Sequence, residues 1–387
     1  MVNSHNNLDK LKGEWSLMKA VTYQGKQKVV VKEVKDPTIE KEEDIIVRIT
    51  STAICGSDLH LYLGNFPLPI DYIIGHEPIG IVEEVGKEVS RVKKGDRVVI
   101  PFTVACGQCF YCNHHLESQC EHANPHYDSG GYFGYSEKFG NYPGGQAEYL
   151  RVPFGNYTPF VVPEDCELED EYLILLSDVL PTAYWSVVNA NVKEGDTVIV
   201  FGCGPVGLMT QKFAWLKGAE RVIAVDYIDY RLEHAQRINK TEVVDFTKHE
   251  DTGEILKEMT KGGADVVIDC VGMDGKKSPL EFIEQKLKLQ GGTIGAIQMA
   301  TKAVRKGGTL QLTGVYGGLY HMFPLGPFFS RNITIKMGQA PARAYMDEIY
   351  RLIVDKKINP TDIITHKLSL TEAAHGYDIF HNKKDGC

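Results

Sequence analysis

The run TVIVFGCGPVG, residues 197–207, constrains the fold of this chain more than any other stretch. Five apolar residues suited to a buried strand lead straight into Gly202, Gly204 and Gly207. Pro205 then opens a helical pattern, PVGLMTQKFAWLKG, that stops at Gly218. A second strand-like run, RVIAVD, ends on Asp226, 19 residues after Gly207. Each part has a physical task. Gly202 permits a tight turn, Gly204 lets backbone approach a pyrophosphate, and Gly207 lets helix and strand pack closely while the helix N-terminus faces the anion. Asp226 can accept hydrogen bonds from both ribose hydroxyls of NAD and repels the 2′-phosphate of NADP. Pro205, Val206, Arg231 and Val315 complete the cofactor set. The competing reading is an α/β domain with a glycine-rich turn and no nucleotide. Further strand-like runs follow at 241–246, 264–272, 308–315 and 332–338 with helical stretches between them, the pattern of a doubly wound parallel sheet, the Rossmann arrangement.

At 387 residues the chain is long for one core, so a second domain is expected. No run approaches the roughly 20 apolar residues of a membrane span. The opening segment, MVNSHNNLDKLKGEWSL, lacks the apolar centre of a secretion signal and reads as a loose extension, residues 1–17. Net charge is −9 with no basic block, which argues against nucleic acid and anionic membranes as partners. Nine cysteines, an odd number, in a large chain without an export signal point to a reducing cytoplasm rather than a disulfide scaffold.

Four of those cysteines, Cys106, Cys109, Cys112 and Cys120, sit in CGQCFYCNHHLESQC with C-x2-C-x2-C-x7-C spacing. Disulfides between positions three apart are strained, whereas four thiolates can close around one zinc and leave no place for substrate. Such a clamp stabilises a loop, with zinc affinity of roughly 10–16 kcal/mol in isolated zinc peptides serving as local folding free energy. An iron–sulfur cluster or four metal-free thiols are the alternatives. His114 and His115 inside the loop are expected to face solvent.

Catalytic chemistry must then come from C55-G-S-D-L-H60 and from G75-H-E-P-I-G80-IVEEV-G86. The string GHE-x2-G-x5-G-x2-V, ending on Val89, resembles the zinc signature of the medium-chain dehydrogenase/reductase family. The four-cysteine loop and the GxGxxG follow it in the order found in zinc-containing alcohol dehydrogenases. The resemblance covers residues 18–387 and implies a GroES-like, partly open β-barrel catalytic domain (18–178 with 339–387) around a Rossmann domain (179–338). It implies two zinc ions per chain, NAD(H), and a homodimer or homotetramer acting on a small alcohol or aldehyde. Cys55 and His76 become catalytic zinc ligands. Where the family usually has a third cysteine this chain reads L176-S-D-V-L-P-T182, so Asp178 takes that place, unless it caps the following helix. Cys⁻ and Asp⁻ leave the shell neutral against Zn²⁺. The aspartate resembles glutathione-independent formaldehyde dehydrogenases, as does PGGQAEYLRVP (143–153).

In that branch Glu77 is an alternate ligand or a structural ion-pair partner, and Asp58 orients the free nitrogen of His76. Zinc polarises the substrate oxygen, and a hydride passes to NAD⁺. The alcohol proton leaves through Ser57 and the cofactor ribose to a solvent-facing His60; the plain alternatives are a turn hydroxyl and a surface side chain. A hydrated aldehyde in the same position gives an acid, and NADH that never leaves gives aldehyde dismutation. Residues 273–293, longer than a common connection, are the segment expected to cover a retained cofactor or to serve as a surface loop. A sorbitol- or threonine-type dehydrogenase and a non-catalytic NAD sensor are the rival functions. The aromatics of NPHYDSGGYFGYSEKFGNYPGG line the substrate cleft or pack a loop. Relatives usually add a final β-strand after the position of HNKKDGC.

Overall fold

A computed structural model describes residues 16–274 and 293–387. Six parallel strands form one sheet in the order Glu242–Asp245, Arg221–Asp226, Thr197–Phe201, Ala264–Asp269, Val304–Leu312, Thr334–Met337. The glycine-run strand is thus central, and the chain order reverses beside it. That reversal leaves a crevice at the carboxyl ends of Thr197–Phe201 and Ala264–Asp269, where ligands of such sheets bind.

The apolar strand run is explained by helices on both faces. Val198 and Val200 pack with Met209 and Phe213 of helix Pro205–Leu216, whereas Ile199 and Phe201 pack with Leu256 and Ile297 on the opposite face. Gly207 is required where the helix presses on the loop, since a Cβ there would lie 2.0 Å from the Gly202 carbonyl oxygen. Gly202 itself turns at φ +96°, in the left-handed region. The fifth strand begins at Val304 rather than Gly308, because Val304 pairs with Ala264 before a register shift.

The first half forms a five-stranded antiparallel sheet, ordered Tyr149–Val152, Ile45–Thr52, Pro78–Val85, Arg97–Val99, Phe160–Val161. Register shifts between Ile46 and Val47 and between Ile49 and Ser51 bend strand Ile45–Thr52 and help curl the sheet into a partly open barrel. A hairpin, Leu17–Tyr23 with Val29–Lys35, closes against it through Val21 N–H donating to the Gln146 carbonyl at 2.8 Å. That hairpin starts at Leu17, the last residue assigned to the extension.

One core joins the halves. Ile79 and Val99 of the barrel, Leu173–Leu176, and Val198 and Val200 of the parallel sheet belong to a single buried cluster. After the last parallel strand the chain returns to the barrel side. Helix Ala342–Val354 packs on helix Val179–Asn189, and helix Ala373–Asn382 packs on Val29–Lys35. We propose a division into 18–178 plus 339–387 around 179–338, with helix Ala342–Val354 lying against the first helix of the inner domain. No helix among the described residues is long and apolar enough to cross a membrane.

Candidate active site

The four clamp cysteines converge. Their Sγ atoms lie 3.5 Å (Cys109–Cys112), 3.9 Å (Cys109–Cys120) and 4.0 Å (Cys106–Cys112) apart. A tetrahedron of Zn–S bonds has edges of about 3.8 Å, so the donor set fits zinc. Burial pushes the Cys106 thiol up to about 11, and backbone N–H groups of Cys109 and Gln108, pointing at its Sγ from 3.3 and 3.4 Å, partly offset that. Cys112 is buried, whereas His114 and His115 are exposed, as expected of side chains outside the sulfur cage.

A second cluster gathers Cys55, His76, Glu77 and Asp178, one donor atom of each lying within 4.8 Å of all the others. Cys55 comes from the turn after strand Ile45–Thr52, His76 and Glu77 precede strand Pro78–Val85, and Asp178 lies at the start of helix Val179–Asn189. Three distant stretches therefore meet at the seam between the halves. Asp178 makes no side-chain cap to its helix. Its Oδ2 instead faces His76 Nε2 at 3.2 Å and Cys55 Sγ at 3.5 Å, while Oδ1 accepts from Thr182 Oγ1 at 2.6 Å. Cys166, the nearest cysteine in sequence, packs in the core away from this cluster.

The electrostatics of the cluster call for a cation. Burial first, then the Glu77 and Asp178 carboxylates, push the Cys55 thiol up to about 12. Burial, then Asp178, pushes Glu77 up to about 8. Three acidic groups crowd a dry space that a single imidazole cannot neutralise, and a divalent metal among these N, O and S donors balances them.

His76 is held from behind. Asp58 Oδ1 lies 3.1 Å from His76 Nδ1, with both side chains almost wholly buried, so Nε2 is left to face the cluster. The other Asp58 oxygen accepts from the Cys55 backbone N–H at 2.9 Å and from Gln146 Nε2 at 3.4 Å. Gln146 in turn accepts from the Tyr377 hydroxyl at 3.0 Å. A buried chain Tyr377–Gln146–Asp58–His76 thus ties the C-terminal helix to the cluster. Sequence reading missed two members of it, Gln146 and Tyr377. Gln146 lies within the PGGQAEYL motif, but Tyr377 carries no local signal.

Ser57 Oγ lies 3.2 Å from Cys55 Sγ and 3.1 Å from His76 Nε2, at the cluster's edge. His60 does not face solvent, contrary to expectation. It is only 5% exposed, because the short helix Asp58–Tyr62 turns it inward, where its ring meets Phe66 edge-on at 6.1 Å.

A cavity of about 640 Å³ runs from this cluster to the glycine loop and is lined by Gly202, Gly204, Pro205, Val206, Asp226, Arg231 and Val315. Gly207 lies behind the loop. At Gly204 an added Cβ would meet only Arg231 Nη1, at 3.7 Å, so the backbone is open to an approaching phosphate. Asp226 Oδ1 accepts from the N–H groups of Tyr227 and Ile228 at 2.7 and 3.2 Å, whereas Oδ2 accepts only from Cys203 N–H at 2.7 Å among the described contacts and retains a lone pair for a hydroxyl. Tyr227 and Phe246, paired at 5.3 Å, also line this end and were not singled out from sequence. Of the segment 273–293 expected to cover the cofactor, residues 275–292 lie outside the described residues.

Comparison with known proteins gives the same two parts. The family profile for the alcohol dehydrogenase GroES-like domain matches residues 41–163, and that for zinc-binding dehydrogenases matches 205–286. An uncharacterised zinc-type alcohol dehydrogenase-like protein of Bacillus subtilis (strain 168) is 62% identical over 96% of this chain and 98% of its own. The glutathione-independent formaldehyde dehydrogenase of the same organism is 31% identical over 94% of each chain. The solved alcohol dehydrogenase TADH of Thermus sp. ATN1 is 35% identical, with a TM-score of 0.82 over 95% of this chain and 97% of that one.

The hydrogen-bonded support of His76 generates a test. Gln146→Met or Tyr377→Phe should speed loss of one metal per chain to a chelator by about tenfold or more, leaving the four-cysteine metal in place. Unchanged loss rates in both variants would mean that the chain of side chains does not position His76.

Proposed function

This chain belongs to the zinc-containing alcohol dehydrogenase family, and we propose that it interconverts an alcohol and its aldehyde with NAD(H) at the Cys55–His76–Asp178 cluster. The coarse reading, a zinc-dependent, alcohol dehydrogenase-like oxidoreductase that uses a nicotinamide cofactor, follows from family membership. The observation that carries the finer one is the convergence of Cys55, His76 and Asp178 on a cavity that also reaches the glycine loop. Substrate and cofactor can therefore meet in one enclosed space.

Cys55, His76 and Asp178 would hold the catalytic zinc, with Glu77 beside them, and Cys106, Cys109, Cys112 and Cys120 would hold the structural one. Bound among the first set, zinc supplies Lewis acidity toward an alcohol or carbonyl oxygen, and the nicotinamide supplies the two-electron acceptor. The protein's own residues do the rest. Asp58 fixes the His76 ring, and Ser57 Oγ at the cluster's edge takes the alcohol proton. His60, inside the cavity, is the next titratable group outward. Asp226 favours NAD over NADP by placing a carboxylate where the extra phosphate would sit.

The proposed homodimer or homotetramer has a candidate surface. Met322 and Phe329, in the stretch of chain that leads into the edge strand Thr334–Met337, are more than four-fifths exposed. A lone 43.2 kDa species in sedimentation would overturn it. We place the enzyme in the cytoplasm, a reading supported by nine cysteines that are all free.

Cys55→Ser and Asp178→Ala should each lower kcat/KM for alcohol oxidation by about a thousandfold or more, equivalent to ~4 kcal/mol of transition-state stabilisation, with an unchanged circular dichroism spectrum. Normal turnover in either folded variant would sink the catalytic assignment. Asp226→Ala should move the NAD/NADP preference toward NADP by about tenfold. An unaltered ratio would assign ribose reading to another group.

A further inference from the structure

The cavity next to His76 is walled by aromatic rings that the reaction itself does not require. Phe102 and Tyr135 lie 6.3 and 5.5 Å from the His76 ring, centroid to centroid. Tyr132 stands behind them, 5.6 Å from Phe102 and 6.2 Å from Tyr135. Phe139 stacks on Tyr132 at 5.1 Å and meets Tyr135 at 5.5 Å, completing a continuous ring wall. Phe66 lines the same cavity and contacts His60.

This wall is braced. The Tyr132 hydroxyl donates to the Ser118 carbonyl at 2.9 Å, and Ser118 lies inside the four-cysteine loop. The Ser118 hydroxyl donates in turn to the Gln339 carbonyl at 2.8 Å. The clamp therefore backs the rings as well as its own loop. Because Tyr132 spends its hydroxyl on this brace, the wall it shares with Tyr135 and Phe139 offers ring faces and edges. Tyr135 and Phe139 are only half-buried, so their free surface turns to the cavity.

Charge narrows the ligand further. Among the described lining residues the only Lys and Arg side chains are Arg231 and Lys383, and neither lies in the stretches that carry Phe102, Tyr132, Tyr135 and Phe139. Nothing on the wall would pair with a carboxylate or phosphate.

We infer that the substrate is an uncharged aromatic alcohol or aldehyde whose ring packs against Tyr135, Phe139 and Phe102. This rests on the alcohol–aldehyde reading above and names the substrate class of that site. The balance is one aryl carbinol and one NAD⁺ giving one aryl aldehyde, one NADH and one proton. Aromatic pairs in offset or edge-on contact add to plain area burial, by a factor of about three to ten per pair. A planar ring should therefore be preferred over a saturated ring of the same carbon skeleton.

The test compares benzyl alcohol with cyclohexylmethanol, alongside 1-propanol, formaldehyde and sorbitol, in wild type and in Phe139→Leu. Intrinsic reactivity cancels when the benzyl/cyclohexyl ratio of kcat/KM is compared between the two proteins. The ratio should fall at least about threefold in Phe139→Leu. Inhibition by benzamide should exceed that by cyclohexanecarboxamide in wild type and lose that margin in the variant. Phe66→Leu serves as a second variant should Phe139→Leu misfold. An equal ratio in wild type and variant, or preference for formaldehyde or sorbitol, overturns the aryl inference while leaving the dehydrogenase reading intact. Absence of turnover with every alcohol and aldehyde overturns both.

Discussion

The contact on which this structure most depends is the buried pair of Asp58 and His76, 3.1 Å apart with almost no exposure to water. The two facing atoms are buried with no other hydrogen-bond partner, so each depends on the other for its electrostatic satisfaction. Everything around it is shaped to allow it. Gly75, just before the histidine, turns at φ +93°. A Cβ on Gly75 would lie 2.3 Å from Gln146 Cγ, so the glycine makes room for the side chain that braces Asp58. The glycine of the GHE signature thus has a steric reason in this fold, independent of the metal.

Two sets of contacts lead outward from that pair. Toward the cavity, His76 Nε2, Cys55 and Asp178 bring together groups that burial alone would keep neutral, and a divalent metal resolves the conflict. Toward the back, Gln146 and Tyr377 connect the site to the C-terminal helix. The two metal sites are also less separate than their spacing in the chain implies. One end of the clamp loop carries the carbonyl that holds Tyr132, and Tyr132 supports the rings that line the substrate space. A loop that binds no substrate still sets the shape of the room in which substrate is bound.

Local features of this molecule were readable in the sequence and non-local ones were not. The glycine run could be read because turn, phosphate approach and close packing are each decided within a few residues, and Gly202, Gly204 and Gly207 have the surroundings those tasks need. The clamp was legible because four sulfurs within fifteen residues leave few geometries. Asp178 was found by resemblance, and what its carboxylate faces depended on how the core joins the halves. His60 was misjudged as solvent-facing because nothing in CGSDLH says that Phe66 folds back over it. Tyr377 and Gln146 are 231 residues apart, and no pattern in either segment announces their hydrogen bond. The Tyr- and Gly-rich stretch divides: Phe133 enters the barrel core, while its neighbours Tyr132 and Tyr135 line the cavity. Side-chain direction along an irregular loop settles that division, and composition cannot.

The central claim is that two clusters, and not one, hold metal. Anomalous-difference diffraction at the zinc absorption edge, from crystals of the zinc-supplied protein, tests it most directly. The account predicts two peaks per chain, one enclosed by the sulfurs of Cys106, Cys109, Cys112 and Cys120 and one within bonding distance of Cys55 Sγ, His76 Nε2 and Asp178. A peak at the four-cysteine loop alone, with none between Cys55, His76 and Asp178, would contradict it.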